Sequence, residues 1–283
     1  MDAKYRFKTE KPLIEIPISV PTISFLTGND GKQILDEYNG RVDQDFGGSN
    51  TLKALEYKNG VVQGSNPFAV ALIGQIVRGS GLRAATPADI ETSIRTGDIL
   101  GIKEKCYIDT ALVLRDDQNP NVYLARDLIA QLDCRQLEYP VMIPLAGVGI
   151  IRNDESPYGL AFTVHENAQV ISAPVLNMGG RFNSEDMDRL IGLPNRVGDN
   201  GARRLYVVIK SGLSRLDVGG DLSLSADSDD LGGSSPVGRV AVVREGTEGA
   251  ALFESQLRKE FEAQQVVLNQ KFTEALNLLK GKQ

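Results

Sequence analysis

Residues 66–77, NPFAVALIGQIV, decide how the rest of this sequence is read. Asn66 offers a capping side chain at a helix start, and Pro67 pre-sets the backbone angle φ of the first helical residue. The residues that follow are apolar on nearly every side, which predicts a helix buried all round in spite of Gly74. Such a helix belongs at the centre of a core.

The same opening recurs twice. Thr86-Pro87 leads into ADIETSIR, with Thr86 and Asp89 spaced as in a capping box and Gly97 as the expected end. Asn119-Pro120 leads into NVYLARDLIAQL, where Leu124, Leu128 and Leu132 share one helical face. Just before it, Cys106, Ile108, Leu112 and Leu114 fall on one side of an alternating run, so a strand precedes this helix. Toward the N-terminus, residues 13–26 are rich in Ile, Val and Pro, and the prolines at 12, 17 and 21 predict extended, edge-type structure.

Beyond residue 139 the pattern changes to strands. Residues 158–164 and 169–175, joined by the polar residues 165–168, predict a hairpin with Leu160, Phe162 and Val164 on one face. A short helix is expected around 184–191. Runs at 205–210, 213–218, 221–226 and 238–244 follow, separated by Gly, Ser and Asp. The expected fold class is therefore α+β, with a helix-rich N-terminal half, an antiparallel strand-rich C-terminal half and a long C-terminal amphipathic helix. The corresponding regions are 1–137, 138–246 and 247–283, the first two able to form one body.

The C-terminal region carries the clearest periodicity. Phe253, Leu257, Phe261, Gln264, Leu268, Phe272, Ala275 and Leu279 step by four, four and three and then repeat. That is a period of about 11 residues, or about 3.67 per turn, which fits a straight helix or a slightly right-handed coiled coil. A helix over this stretch would be about 42 Å long. Its apolar stripe needs a cover, either its own domain or another chain. Phe253, Leu257, Phe261, Leu268, Phe272 and Leu279 are the candidate interface.

Composition narrows the function. Hydrophobic residues make up 41% and charged residues 24% of 283 residues, which fits a soluble globular chain with a packed core. The net charge is −6 with Lys and Arg scattered, so neither nucleic acid nor an anionic membrane surface is an expected partner. No run approaches the roughly 18 apolar residues of a spanning helix. Two cysteines without CxxC spacing suit a reducing compartment, and the cytoplasm is the simplest address.

His165 is the single histidine, so any triad would centre on it, and one chain holds no multi-histidine metal site. It is expected at an exposed turn. Cys106 reads as a small buried hydrophobe. The loop Gly28-Asn29-Asp30-Gly31-Lys32 between an apolar run and a helical one offers Gly28, Gly31 and Lys32 as phosphate candidates, although its glycine spacing is not that of a P-loop. Asp217, Asp221, Asp227, Asp229 and Asp230 form an acidic group free of Lys and Arg between 217 and 230, as a hard cation such as Mg²⁺ or Ca²⁺ would use. The same alternation with Leu222, Leu224 and Ala226 also describes the wet face of a hairpin.

No catalytic residue or cofactor follows from these features. The expectation is a non-catalytic cytosolic binding or assembly protein that self-associates, or binds a protein partner, through its C-terminal helix. The alternative is a carboxylate-dependent enzyme, a metal-assisted hydrolase or a phosphate-ligand-binding one, built on the acidic group or the Gly28 loop.

Overall fold

Asn66 caps the buried helix as its sequence predicts. Its side-chain oxygen accepts the Ala69 N–H at 2.8 Å, while its amide donates to the carbonyls of Thr51 and Gly232, both at 2.9 Å. A fully buried polar side chain is tolerated there because its bonds are made.

The computed structural model describes residues 22–97 and 106–244. In chain order, β1 (Thr22–Phe25) leads into α1 (Gly28–Phe46), the hairpin β2 (Glu56–Lys58) and β3 (Val61–Gln63), then α2 (Pro67–Val77), β4 (Leu82–Ala84), α3 (Pro87–Thr96), β5 (Tyr107–Leu114) and α4 (Val122–Leu132). Strands then take over: β6 (Val141–Pro144), β7 (Val148–Arg152), β8 (Leu160–Val164), β9 (Ile171–Ser172), β10 (Gly180–Phe182), β11 (Met187–Asp188), β12 (Leu193–Pro194), β13 (Arg203–Tyr206), β14 (Leu213–Gly219), β15 (Leu224–Ser225) and β16 (Ala241–Arg244).

A seven-stranded sheet in the order β10-β13-β15-β14-β5-β6-β9 divides two apolar clusters. On one side Leu112, Leu114 and Leu213 meet α1, α2, α4 and the β7–β8 hairpin. Here the Phe68 ring of α2 stacks on Phe162 of β8, with centroids 4.3 Å apart. On the other side Ile108, Ala111, Val113, Leu216 and Val218 meet Ile90 of α3, Phe182 and Leu193. A smaller sheet, β1-β16-β4, contributes to both clusters.

The large sheet has one irregularity in its central ladder. Leu216 pairs with Ala111 but Asp217 pairs with Asp109, so Thr110 is an extra residue in β5, and its hydroxyl donates to the Leu216 carbonyl at 3.1 Å. Such a bulge switches the side-chain alternation of its strand. Simple alternation puts Ile108 on the face of Leu112 and Leu114, but the bulge sets Ile108 in the opposite cluster.

The expected division into a helix-rich first half and an antiparallel strand-rich second half is overturned. The protein is mixed α+β, with β1 to β5 already in the first half and β5 in the interior of a sheet whose other strands come from the second. The sheet is also not purely antiparallel, because β13 and β15 run parallel. Strands of three or four residues carry too little alternation to be read, and pairing between distant segments leaves no local mark. The long helix expected in the C-terminal region, 247–283, lies outside the described residues.

The Thr86–Asp89 capping box and the left-handed Gly97 end α3 as expected. Leu124, Leu128 and Leu132 are buried on α4, but that helix starts at Val122, two residues late. Asn121 instead donates its amide to the carbonyls of Leu213 and Asp229 at 2.9 and 2.8 Å, tying the helix start to β14 and the loop beyond it. The 158–164 run pairs with β7, not with 169–175, and β9 joins β6. Arg135 explains the difference, since its guanidinium holds the carbonyls of His165, Glu166 and Ala168 and carries the loop from one ladder to the next. In place of a helix at 184–191 there is one 3₁₀ turn followed by β11. Of the residues 13–26 expected as edge-type extended structure, those before 22 lie outside the described residues, and β1 at their end is an edge strand.

Candidate functional site

The strongest concentration of chemistry is a charged cluster under the bulge. Because of Thr110, Asp109 stands on the same face as Arg215 and Asp217 of β14, and opposite Asp217 in the ladder. Two carboxylates in direct cross-strand register repel. Arg215 lies between them, its Nε 3.5 Å from Asp109 Oδ1 and 3.7 Å from Asp217 Oδ2, with its guanidinium 5.1 Å from the Tyr107 ring centroid. Ser65 donates to Asp109 Oδ2 at 2.6 Å. Tyr107 donates to the Ser65 carbonyl at 2.8 Å and accepts the Ser235 N–H at 3.1 Å.

Gly64 makes this placement of Ser65 possible. Its φ of +96° lies in the left-handed region, and a Cβ there would sit 1.9 Å from the Ala54 carbonyl oxygen, so no other residue fits.

The cluster is short of positive charge. Asp109 Oδ1 and Arg215 Nε are buried without a hydrogen bond among the described residues. Desolvation raises the Asp109 carboxyl above its ordinary range in spite of Arg215 and Ser65. Desolvation, reinforced by the charge of Asp109, pushes Asp217 up to about 7. One guanidinium does not neutralise two buried carboxylates, so the pair retains a proton near neutrality.

Of the acidic candidates, only Asp217 belongs to this cluster. Asp221 accepts the Ser223 N–H at 3.0 Å, Asp227 accepts the Ser225 hydroxyl at 2.5 Å, and Asp230 accepts the Gly232 and Gly233 N–H groups at 3.1 and 2.8 Å. Asp229 is exposed and contributes its carbonyl to Asn121. Among the described residues no group of three or more His, Cys, Asp or Glu could hold a metal ion.

The Gly28 loop is likewise committed to the fold. The Gly28 N–H donates to the Gly60 carbonyl and the Gly31 N–H to the Thr27 carbonyl, both at 2.9 Å. Gly31 is required by packing, because a Cβ would lie 2.5 Å from the Leu26 carbonyl carbon. Lys32 is exposed on α1. His165 is half-buried instead of exposed, with Nε2 2.7 Å from Arg78 Nη2; desolvation and then that cation lower its pKa. Cys106 is buried, as expected. Phe253, Leu257, Phe261, Leu268, Phe272 and Leu279 lie outside the described residues.

Elsewhere, a cleft of about 530 Å³ opens at the β10–β13 end of the large sheet. Arg181, Arg204 and Lys210 line it with Asp199, Tyr206 and Val208. None of the three cations has an ion pair among the described residues; Arg181 donates to the Gly201 carbonyl and Arg204 lies over the Tyr206 ring, 4.7 Å from its centroid. The charges scattered along the sequence hid this grouping, and the adjacent Arg203-Arg204 pair before an apolar run was its one local sign. Arg203 itself turns inward to Glu91 at 2.6 Å.

No helix among the described residues is long and apolar enough to cross a membrane. No family model matches the chain, and neither a curated protein nor a solved structure matches it.

Proposed function

We propose that this chain is a non-catalytic cytosolic binding or assembly protein that self-associates, or binds a protein partner, through its C-terminal segment. The observation that carries the reading is the burial of the charged cluster. Ser65 is 0% and Asp109 1% exposed, so the pair of groups nearest to a nucleophile and its base has no path to a substrate. The apolar stripe from Phe253 to Leu279 supports the assembly half, because three phenylalanines left in water would cost about 1.5 to 3 kcal/mol each.

Light scattering on the full chain tests it. Aspartate at both Phe261 and Phe272, or deletion of residues 250–283, should lower the assembled mass while the remaining body still unfolds in one transition. A wild-type protein that stays monomeric at high micromolar concentration would sink self-association.

A carboxylate-dependent enzyme is the second reading, favoured by one observation, the Asp217 carboxyl held near neutrality. Its distinguishing result would be a rise in melting temperature with millimolar Mg²⁺ that disappears when Asp217 is changed to Asn. The non-catalytic reading expects no such rise.

A further inference from the structure

The cleft at the β10–β13 end joins three observations that bear on one ligand. The first is charge. Arg181, Arg204 and Lys210 face it against Asp199 as the one lining carboxylate, a local excess of positive charge on a chain of net charge −6. Cations that have no ion pair within the body keep their full attraction for an anionic ligand.

The second is backbone. β13 ends at Tyr206, but the chain continues past its neighbours, and no backbone–backbone hydrogen bond among the described residues involves Val208, Ile209 or Lys210. β10 offers no free edge on that side, since Arg181 exchanges both its N–H and its carbonyl with Gly198 at 2.7 and 2.9 Å. An unpaired stretch beside a sheet is a template for one more strand. The third is apolar surface. Val208 is 79% exposed and Tyr206 is 36% exposed, the two lying two residues apart as same-side residues of an extended chain do.

We propose that this cleft docks an acidic peptide segment in extended conformation, which pairs its backbone with residues 208–210, sets carboxylates against Arg181, Arg204 and Lys210, and on the same face lays apolar side chains against Tyr206 and Val208. A small anion would use the cations but leave the unpaired backbone and Val208 as they are. Nucleic acid would likewise use the cations, but it carries no peptide backbone to pair with the free donors and acceptors of residues 208–210. The proposal uses no residue of the C-terminal stripe, and peptide binding and assembled mass are separate readouts, so neither proposal stands or falls with the other.

Fluorescence anisotropy with the full-length protein tests it, using as the probe a labelled heptapeptide Glu-Thr-Val-Thr-Val-Thr-Glu, the Glu-Val peptide, which puts its Glu and Val side chains on one face of a strand as Arg204, Tyr206, Val208 and Lys210 share one face. We expect saturable binding that weakens with salt, with a Lys-Val peptide not binding. Arg204→Glu with Lys210→Glu, both on exposed side chains, should weaken binding more than tenfold at an unchanged melting temperature. A peptide N-methylated at alternate amides should bind at least tenfold more weakly, because it keeps the charges but lacks the donors of a ladder. Equal binding of the methylated peptide would overturn strand addition, and full displacement of the peptide by inorganic phosphate would reduce the site to one for simple anions. An oligo-dT that binds more tightly than the Glu-Val peptide would replace the peptide by nucleic acid. No binding of the Glu-Val peptide, with the fold intact, overturns the proposal.

Discussion

Replacing Asp217 with asparagine removes one of the two carboxylates that share Arg215 and keeps the shape of the side chain. In the folded protein the Asp217 carboxyl titrates at about 7, against about 3.9 in an unfolded chain. The raised value means that the folded state holds a proton the unfolded state has already released. The stabilisation is therefore complete below about pH 4, falls as pH rises through the window to about 7, and is absent above it. Three units correspond to about 4 kcal/mol, an upper bound because the proton is shared with Asp109. The amide of the Asp217→Asn variant does not titrate. The variant should exceed wild type by no more than about 1 kcal/mol near pH 4.5 and by about 2 to 4 kcal/mol at pH 8. Urea unfolding followed by circular dichroism at pH 4.5, 6, 7 and 8 gives both curves, and their difference cancels the opposite trend from Asp89 and Asp116, whose carboxyls lie below their ordinary range. A difference that is the same at all four pH values would show that Asp217 is ionised throughout and that the cluster carries no shared proton.

Two further substitutions probe how the body is held. Phe68→Ala removes a ring that is fully buried and stacked on Phe162, and should lower stability by about 3 to 5 kcal/mol in urea unfolding at unchanged secondary structure. Glu91→Gln takes the charge from a buried carboxylate that pairs with Arg203 at 2.6 Å and Arg95 at 3.1 Å. It leaves Arg203 buried and uncompensated, so a loss of about 3 to 5 kcal/mol is expected, and removing Arg203 as well, as Glu91→Leu with Arg203→Met, should recover part of it.

What the sequence made legible was local. Asn66, Thr86 and Gly97 mark helix ends with residues whose caps are short-range hydrogen bonds or a left-handed turn, so the information lies within four residues of the site. The pairing of β5 with β14 joins segments a hundred residues apart, and nothing in either segment names the other. The bulge at Thr110 is the sharpest case. Read by alternation, YIDTALVL places Asp109 opposite to where it lies, because a single extra residue reverses the faces of half the strand. A signal was nevertheless present. A carboxylate inside an otherwise apolar strand demands a buried partner, and Arg215, in the equally apolar LSRLDV, is the matching residue. The cleft was illegible for another reason, since Arg181, Arg204 and Lys210 come together only through the β10–β13 pairing.

The pairing of β1 with β16 has a mechanical consequence. These are the first and last strands of the described body, antiparallel, with Thr22 opposite Arg244 at the outer end of the ladder. A load applied to the body through those two residues pulls across the strands, along the line of the interstrand hydrogen bonds. The bonds would then open one rung at a time, from Thr22–Arg244 toward Phe25–Ala241, in the unzipping geometry. Pulled through any two points that shear β5 past β14, the same body would have to break a seven-residue ladder almost at once. Its resistance to force depends on where it is held.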